Sequence, residues 1–127
     1  MPFVRIDLKR GKSAEYRKTL GEIVYKAMLD VINVPQNDKF QIITEHDRGD
    51  LNYAESYLGN SYSDDLIFIQ ITLNAGRSVE MKKALYKRIV DDFQNQLQGR
   101  PDDIFISLVE VAKENWSFGN GIAQYAS

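Results

Sequence analysis

Pro2 is the residue whose chemistry depends most on its place in the chain. If Met1 is removed, the ring nitrogen of Pro2 becomes a free secondary amine, which an amide-bound proline lacks. That amine is a base and a nucleophile, and its acid form is a compact cation. An α-amino group titrates at about 8 in model peptides, and burial moves it further. Pro2 can therefore serve near neutral pH as base, acid or electrophile. The plainer alternative is a proline at the first position of an edge strand, which is ordinary. Arg77 falls at a strand-to-helix junction, where backbone N–H groups favour anions, but taken alone it reads as a solvated arginine at a helix start. Other chemistries are closed. The chain has no cysteine, hence no thiolate nucleophile, disulfide or Cys-based metal site. His46 is the single histidine, so no multi-histidine metal site is expected, and it reads as a solvated loop residue.

The elements that must position these residues follow from periodicity. Residues 2–8 alternate loosely and stop at Arg10-Gly11, a strand and turn. Ser13 offers an N-cap with Glu15 in the first turn. Tyr16, Leu20, Ile23, Val24, Ala27, Met28 and Val31 then follow at helical spacing, and the helix should end before Pro35. Residues 40–44 read as a second strand. A polar stretch with Gly49, Gly59 and three tyrosines runs from His46 to about Asp65. Residues 66–73 form the most apolar strand, expected to be central and buried on both faces. Ser78 and Glu80 start a second helix carrying Met81, Leu85, Ile89, Phe93 and Leu97, with Gly99 and Pro101 as its stop. Residues 104–111 make the fourth strand, and a tail with Trp116, Phe118 and Tyr125 closes the chain.

A shift of 65 positions superposes the two halves. Eleven residues of 2–45 are identical to their counterparts in 67–110 without a gap, among them Phe3/Phe68, Ile6/Ile71, Gly11/Gly76, Ser13/Ser78, Leu20/Leu85, Asp38/Asp103 and Glu45/Glu110. The chain is a tandem β-α-β repeat. Each strand–helix–strand unit wants parallel strands and a right-handed crossover. Two units side by side give an α/β (α+β) single domain over residues 1–127: a four-stranded sheet with two helices on one face. The other face also carries apolar residues, and nothing further in the chain covers it, which predicts an oligomer.

Composition bounds the function. The 127 residues suffice for one core, and 43% hydrophobic with 27% charged is ordinary for a soluble globular protein. A net charge of −2 argues against nucleic-acid or anionic-membrane binding, which need a basic surplus. No apolar h-region and no run of about 18 apolar residues is visible, so a soluble, cytoplasmic protein is expected.

The sequence resembles the tautomerase superfamily, and within it the malonate semialdehyde decarboxylase branch. Val34-Pro35-Gln36-Asn37-Asp38-Lys39-Phe40-Gln41 is similar to the family's VPxNDRYQ, and Asn115-Trp116-Ser117-Phe118-Gly119-Asn120-Gly121 is similar to its DWSFGxG tail. The resemblance covers most of the chain. It implies a homotrimer without cofactor or metal, acting on a small oxo acid. It matches the family's catalytic proline to Pro2 and its catalytic aspartate to Asp38. It matches the second arginine of an Arg-Pro-Arg-Ser pattern to Arg77 and leaves Ala75 in place of the first.

On that resemblance, protonated Pro2 would polarise a carbonyl or condense with it, while Arg77 holds the carboxylate. Asp38 would orient Pro2 or a water. Trp116, Phe118 and Phe3 would wall the pocket and exclude water. With Pro2 neutral, the same parts suit a keto–enol tautomerase, and with Asp38 activating water, a hydratase. The rival from another class is a non-catalytic trimer that kept the fold. Asp38 also has a structural alternative, a turn residue before a strand, as does Asp103. Trp116 and Phe118 fit pocket wall and core equally.

Overall fold

The computed structural model describes residues 2–126. In chain order the elements are β1 (Phe3–Lys9), α1 (Ala14–Val31), β2 (Gln41–His46), β3 (Ser56–Tyr57), β4 (Asn60–Ser61), β5 (Ile67–Asn74), α2 (Val79–Leu97) and β6 (Ile104–Val111). Single 3-10 turns sit at Arg48–Asp50, Pro101–Asp103 and Lys113–Asn115.

The two repeats build their helix starts in the same way. Gly11 and Gly76 take φ of 126° and 128°, a region open to glycine alone in practice. Two residues on, Ser13 accepts the Tyr16 N–H at 3.0 Å and Ser78 accepts the Met81 N–H at 3.2 Å. Each serine satisfies a backbone donor that the first helical turn cannot.

The main sheet has the order β2-β1-β5-β6. The pairs β1–β2 and β5–β6 are parallel, and the central pair β1–β5 is antiparallel. Arg5 pairs with Gln70 across that centre, and these two residues are repeat equivalents. The repeats are thus related by a local two-fold axis through the Arg5–Gln70 pair. Both helices lie on one face, pack against each other and are tied by Arg88 Nη2 donating to Asp30 Oδ2 at 2.9 Å.

The core fills the space between that face and the helices. Val4, Ile6 and Leu8 alternate inward from β1, as do Ile67, Ile69, Ile71 and Leu73 from β5. They meet Leu20, Val24, Ala27 and Met28 of α1 and Leu85, Ile89 and Phe93 of α2. Each fully buried side chain of this size stabilises the fold by about 1.5–3 kcal/mol.

Four expectations are corrected in detail. The strand β5 is central, but only its inward face is buried within the chain: Gln70 is exposed and Phe68, Thr72 and Asn74 are half-buried. The stop of α2 comes one residue before Gly99, where Gln98 takes the left-handed conformation with φ 51°. Gly99 is needed for another reason, because a Cβ there would run into the Phe93 ring. His46 is not in the loop. It ends β2, with Nε2 2.6 Å from Asp7 Oδ1. The polar stretch after it also contains the β3–β4 hairpin, held where Ser61 and Ser63 donate their backbone N–H groups to Asp102 and Asp103.

Candidate active site

The sheet order gathers four chain segments at one end. The start of β1 carries Pro2, and beside it the segment 38–40 enters β2, because the Val4 N–H donates to the Phe40 carbonyl at 3.0 Å. On the other side β5 runs antiparallel and ends at Asn74, with Arg77 just beyond. The parallel β6 ends alongside and leads into the tail with Trp116 and Phe118.

Pro2 itself is buried. Asp38 is half-buried in a tight turn: its N–H donates to the Pro35 carbonyl at 3.2 Å, and Asn37 before it is left-handed, with φ 70°. The Asn37 N–H donates to the Tyr25 hydroxyl at 2.9 Å, and Lys39 lies over the Tyr25 ring while pairing with Glu22. These contacts fix the backbone on both sides of Asp38. Burial pushes the Asp38 carboxyl above its ordinary range, and the positive charge of Arg77 pulls it back. Asp38 and Arg77 therefore feel each other's charge at this end of the sheet.

Arg77 is half-buried rather than free in solvent. Its Nε donates to the Ile32 carbonyl at 3.0 Å and Nη1 to the Asn74 carbonyl at 3.3 Å. Ile32 is the residue at the C-terminus of α1, so the cation also meets the negative end of that helix. Nη2 takes part in neither bond.

Trp116 donates its indole Nε1–H to Asn74 Oδ1 at 2.7 Å. Its ring stacks on Phe118 at 5.7 Å between centroids, and Phe118 meets Tyr125 edge-on at 5.0 Å. The tail loop closes on itself, with the Phe118 N–H donating to Gln124 and Gln124 donating to the Gly119 carbonyl. Phe3, Phe40, Trp116, Ser117 and Phe118 line a cavity of about 270 Å³. Trp116 is half-buried and Phe118 is 38% exposed, so both belong to this wall and not to the core.

The structure thus brings Phe3, Trp116 and Phe118 into one cavity. Pro2, Asp38 and Arg77 do not line it. They sit at the same sheet end and join it through Phe3, Phe40 and Asn74. Phe40, Ser117 and Asn74 are side chains that the sequence did not single out. Phe40 carries a visible signal, being identical to Phe105 in the repeat, but that identity marks the strand and not the cavity. The segment 46–65 does not reach this end. It packs at the opposite one, against Asp103 and Phe68.

The aspartates at equivalent repeat positions have different surroundings. Asp103 is 2% exposed and accepts from the Ser63 N–H at 2.9 Å, the Ser63 hydroxyl at 2.5 Å and Arg100 Nη1 at 3.1 Å. It is a structural anchor.

Two family models, both described as tautomerase enzyme, match residues 2–59 and 38–119. The chain belongs to the tautomerase family. It is 40% identical to the probable tautomerase YusQ of Bacillus subtilis (strain 168) over 124 residues, covering 98% of each chain. It is 28% identical to the probable tautomerase YrdN of the same strain, covering 98% of this chain and 96% of the relative. Among solved structures it is similar to FG41 malonate semialdehyde decarboxylase inhibited by 3-bromopropiolate, with a TM-score of 0.89 and 34% identity over 97% of this chain and 93% of that one. A fused 4-OT solved as a symmetric trimer shares the fold, with a TM-score of 0.79 at 22% identity, covering 98% of both chains. The chain is accordingly an enzyme of decarboxylase or tautomerase type within the malonate semialdehyde decarboxylase-like part of this family. Among the described residues, no helix is long and apolar enough to cross a membrane.

Proposed function

We propose that the chain, once Met1 is removed, is a cofactor-free enzyme that acts on a small oxo acid through the amine of Pro2. The observation that carries this reading is that the start of β1 with Pro2, the turn with Asp38 and the end of β5 with Arg77 share one sheet end, beside the cavity lined by Phe3, Trp116 and Phe118. An amine, a carboxyl and a guanidinium thus belong to the same sheet end as an aromatic cavity of a few-atom ligand's size.

For a β-keto acid, protonated Pro2 hydrogen-bonds to the carbonyl or condenses with it, and Arg77 holds the carboxylate. The bond between the carboxylate carbon and its neighbour then breaks. Carbon dioxide leaves, the electron pair passes to the enol or enamine, and a proton returns to carbon. Asp38 orients Pro2 and favours its cationic form. The aromatic wall excludes water and strengthens these charges.

The likeness to a probable tautomerase at 40% identity favours a second reading. Here Pro2 is neutral and takes the proton α to the carbonyl of a 2-oxo acid, and the proton is delivered to the oxygen of the resulting enolate to give the enol. Water activated by Asp38 would give a hydratase from the same parts. The protonation state of Pro2 selects among them.

The active unit is a homotrimer. Phe40, Ile42, Phe105 and Val109 are 38–50% exposed on the helix-free side of the sheet, and the solved relatives of this fold include trimers. Burying that face in copies of the chain removes the exposed patch from water.

The test is proton NMR of malonate semialdehyde with protein whose Met1 is shown by mass spectrometry to be removed, run beside Pro2→Ala. Acetaldehyde from the native protein alone establishes the decarboxylase. If only a phenylpyruvate-type enol is turned over, the tautomerase reading takes its place. Turnover of neither substrate rejects both.

A further inference from the structure

We infer that Asn74 is a positioning residue that sets the aromatic wall and the carboxylate-binding arginine at once, and this rests on the function proposed above. Asn74 is the last residue of β5 and is half-buried. Its side-chain Oδ1 accepts the Trp116 indole N–H at 2.7 Å, and its main-chain carbonyl accepts Arg77 Nη1–H at 3.3 Å. One residue therefore touches the two groups that would meet the apolar and the anionic part of a substrate.

The chemistry of the indole gives the contact its direction. An indole N–H can only donate, so Asn74 must present its oxygen and not its amide nitrogen. The bond fixes both the rotation of Trp116 and the orientation of the Asn74 amide. Trp116 arrives from a tail 42 positions further on, and its ring carries Phe118 by stacking. Without an acceptor at residue 74, the indole keeps its ring contacts but loses the one bond that sets its rotation.

Strand-end geometry does not require an asparagine here. The repeat equivalent of Asn74 is Lys9, at the end of β1, and Lys9 instead lies 4.0 Å from Asp64. The amide is specific to the end of the sheet that holds Pro2, Asp38 and Arg77. Ala75, next in the chain, offers no side-chain donor or acceptor and ties the turn to β6 only through its N–H on the Val111 carbonyl, so the side-chain bond from this turn to Trp116 is that of Asn74.

Trp116 is the single tryptophan, so its fluorescence reports on this bond without interference. The experiment compares acrylamide quenching in the Met1-processed native protein, Asn74→Leu and Asn74→Asp, and the kinetics of malonate semialdehyde or phenylpyruvate-enol turnover in these three, in Trp116→Phe and in the Asn74→Leu/Trp116→Phe double variant. Asn74→Leu keeps the size but removes the acceptor. It should raise quenching of Trp116 and lower kcat/KM by up to about tenfold, the worth of one hydrogen bond. Asn74→Asp keeps an acceptor, so quenching should stay native, while the added negative charge beside Arg77 raises KM for the anionic substrate more than it lowers kcat. The double variant should be no slower than Trp116→Phe, because the bond can be lost only once. If Asn74→Leu does not fold, Asn74→Ser, too short to reach the indole, replaces it. Native quenching in Asn74→Leu, or losses that multiply in the double variant, overturn the inference. If the native protein turns over neither substrate, the proposed function fails, while the quenching series still decides whether Asn74 sets Trp116.

Discussion

Asp38 and Asp103 occupy the same place in the two repeats, and Asp103 is buried under hydrogen bonds from Ser63 and Arg100. Asp103 holds Ser63 and Arg100 at one end of the sheet, and Asp38 lies at the other, where the charge of Arg77 acts on it. The local two-fold axis through Arg5 and Gln70 puts these equivalent positions at opposite sheet ends. One end of the sheet carries the β3–β4 hairpin and the other an open cavity. Asp103→Ala should therefore destabilise the fold by about 3 kcal/mol, since it leaves buried donors and Arg100 without their acceptor. The urea midpoint measures this, and an unchanged midpoint would show that Asp103 is dispensable.

Asp38→Asn should behave oppositely. Burial raises the carboxyl of Asp38 in the folded protein, so its contribution favours folding below the ordinary carboxylate range and is lost as pH rises through the raised folded value. At neutral pH the ionised group is a cost that asparagine does not carry. Asp38→Asn is expected to equal or exceed the native protein in urea midpoint at pH 7, with the advantage gone near pH 3, while turnover falls. A variant less stable at pH 7 than at pH 3, relative to native, contradicts this.

Tyr16 gives an alkaline counterpart. Its hydroxyl is pushed up to about 12, first by burial and then by Asp65 and Asp103. The folded value lies above the unfolded one, so this contribution is complete below about 10 and is lost between about 10 and 12. Ultraviolet titration of phenolate should show Tyr16 ionising after the exposed tyrosines, together with unfolding, and Tyr16→Phe should remove that late step.

Arg77→Lys should separate charge from geometry. Lysine keeps the cation but cannot span the Ile32 and Asn74 carbonyls with a planar fork. KM for the anionic substrate should rise by about tenfold or more, and stability should fall by about 1 kcal/mol for the lost hydrogen bonds. An unchanged KM would move the carboxylate site elsewhere.

Phe105→Glu tests the assembly. Phe105 is 43% exposed on the helix-free face, where its ring lies 5.2 Å from Phe68. A charge buried at a subunit interface is strongly unfavourable unless paired. Light scattering should report a trimer for the native protein and smaller species for the variant. A native monomer at micromolar concentration would reject the trimer.

The sequence alone determined the repeat, the four main strands, both helices and the position of each helix start. Those features depend on local periodicity, on glycines that take positive φ and on serines that cap the residue three ahead, and all of these are written within a few positions of one another. It also placed Pro2, Asp38, Arg77, Trp116, Phe118 and Phe3 as candidates, through residue chemistry and a family resemblance. Only the tertiary structure decided how they meet. The antiparallel pairing of β1 with β5 brings Asn74 and Arg77 to the end of the sheet that holds Pro2, and no local pattern states which edges of two β-α-β units will join. The same holds for Asp7 with His46, for Gly99 under the Phe93 ring and for the Asn74–Trp116 bond. Each joins residues whose proximity is created by packing the core, so each becomes visible when the chain is folded.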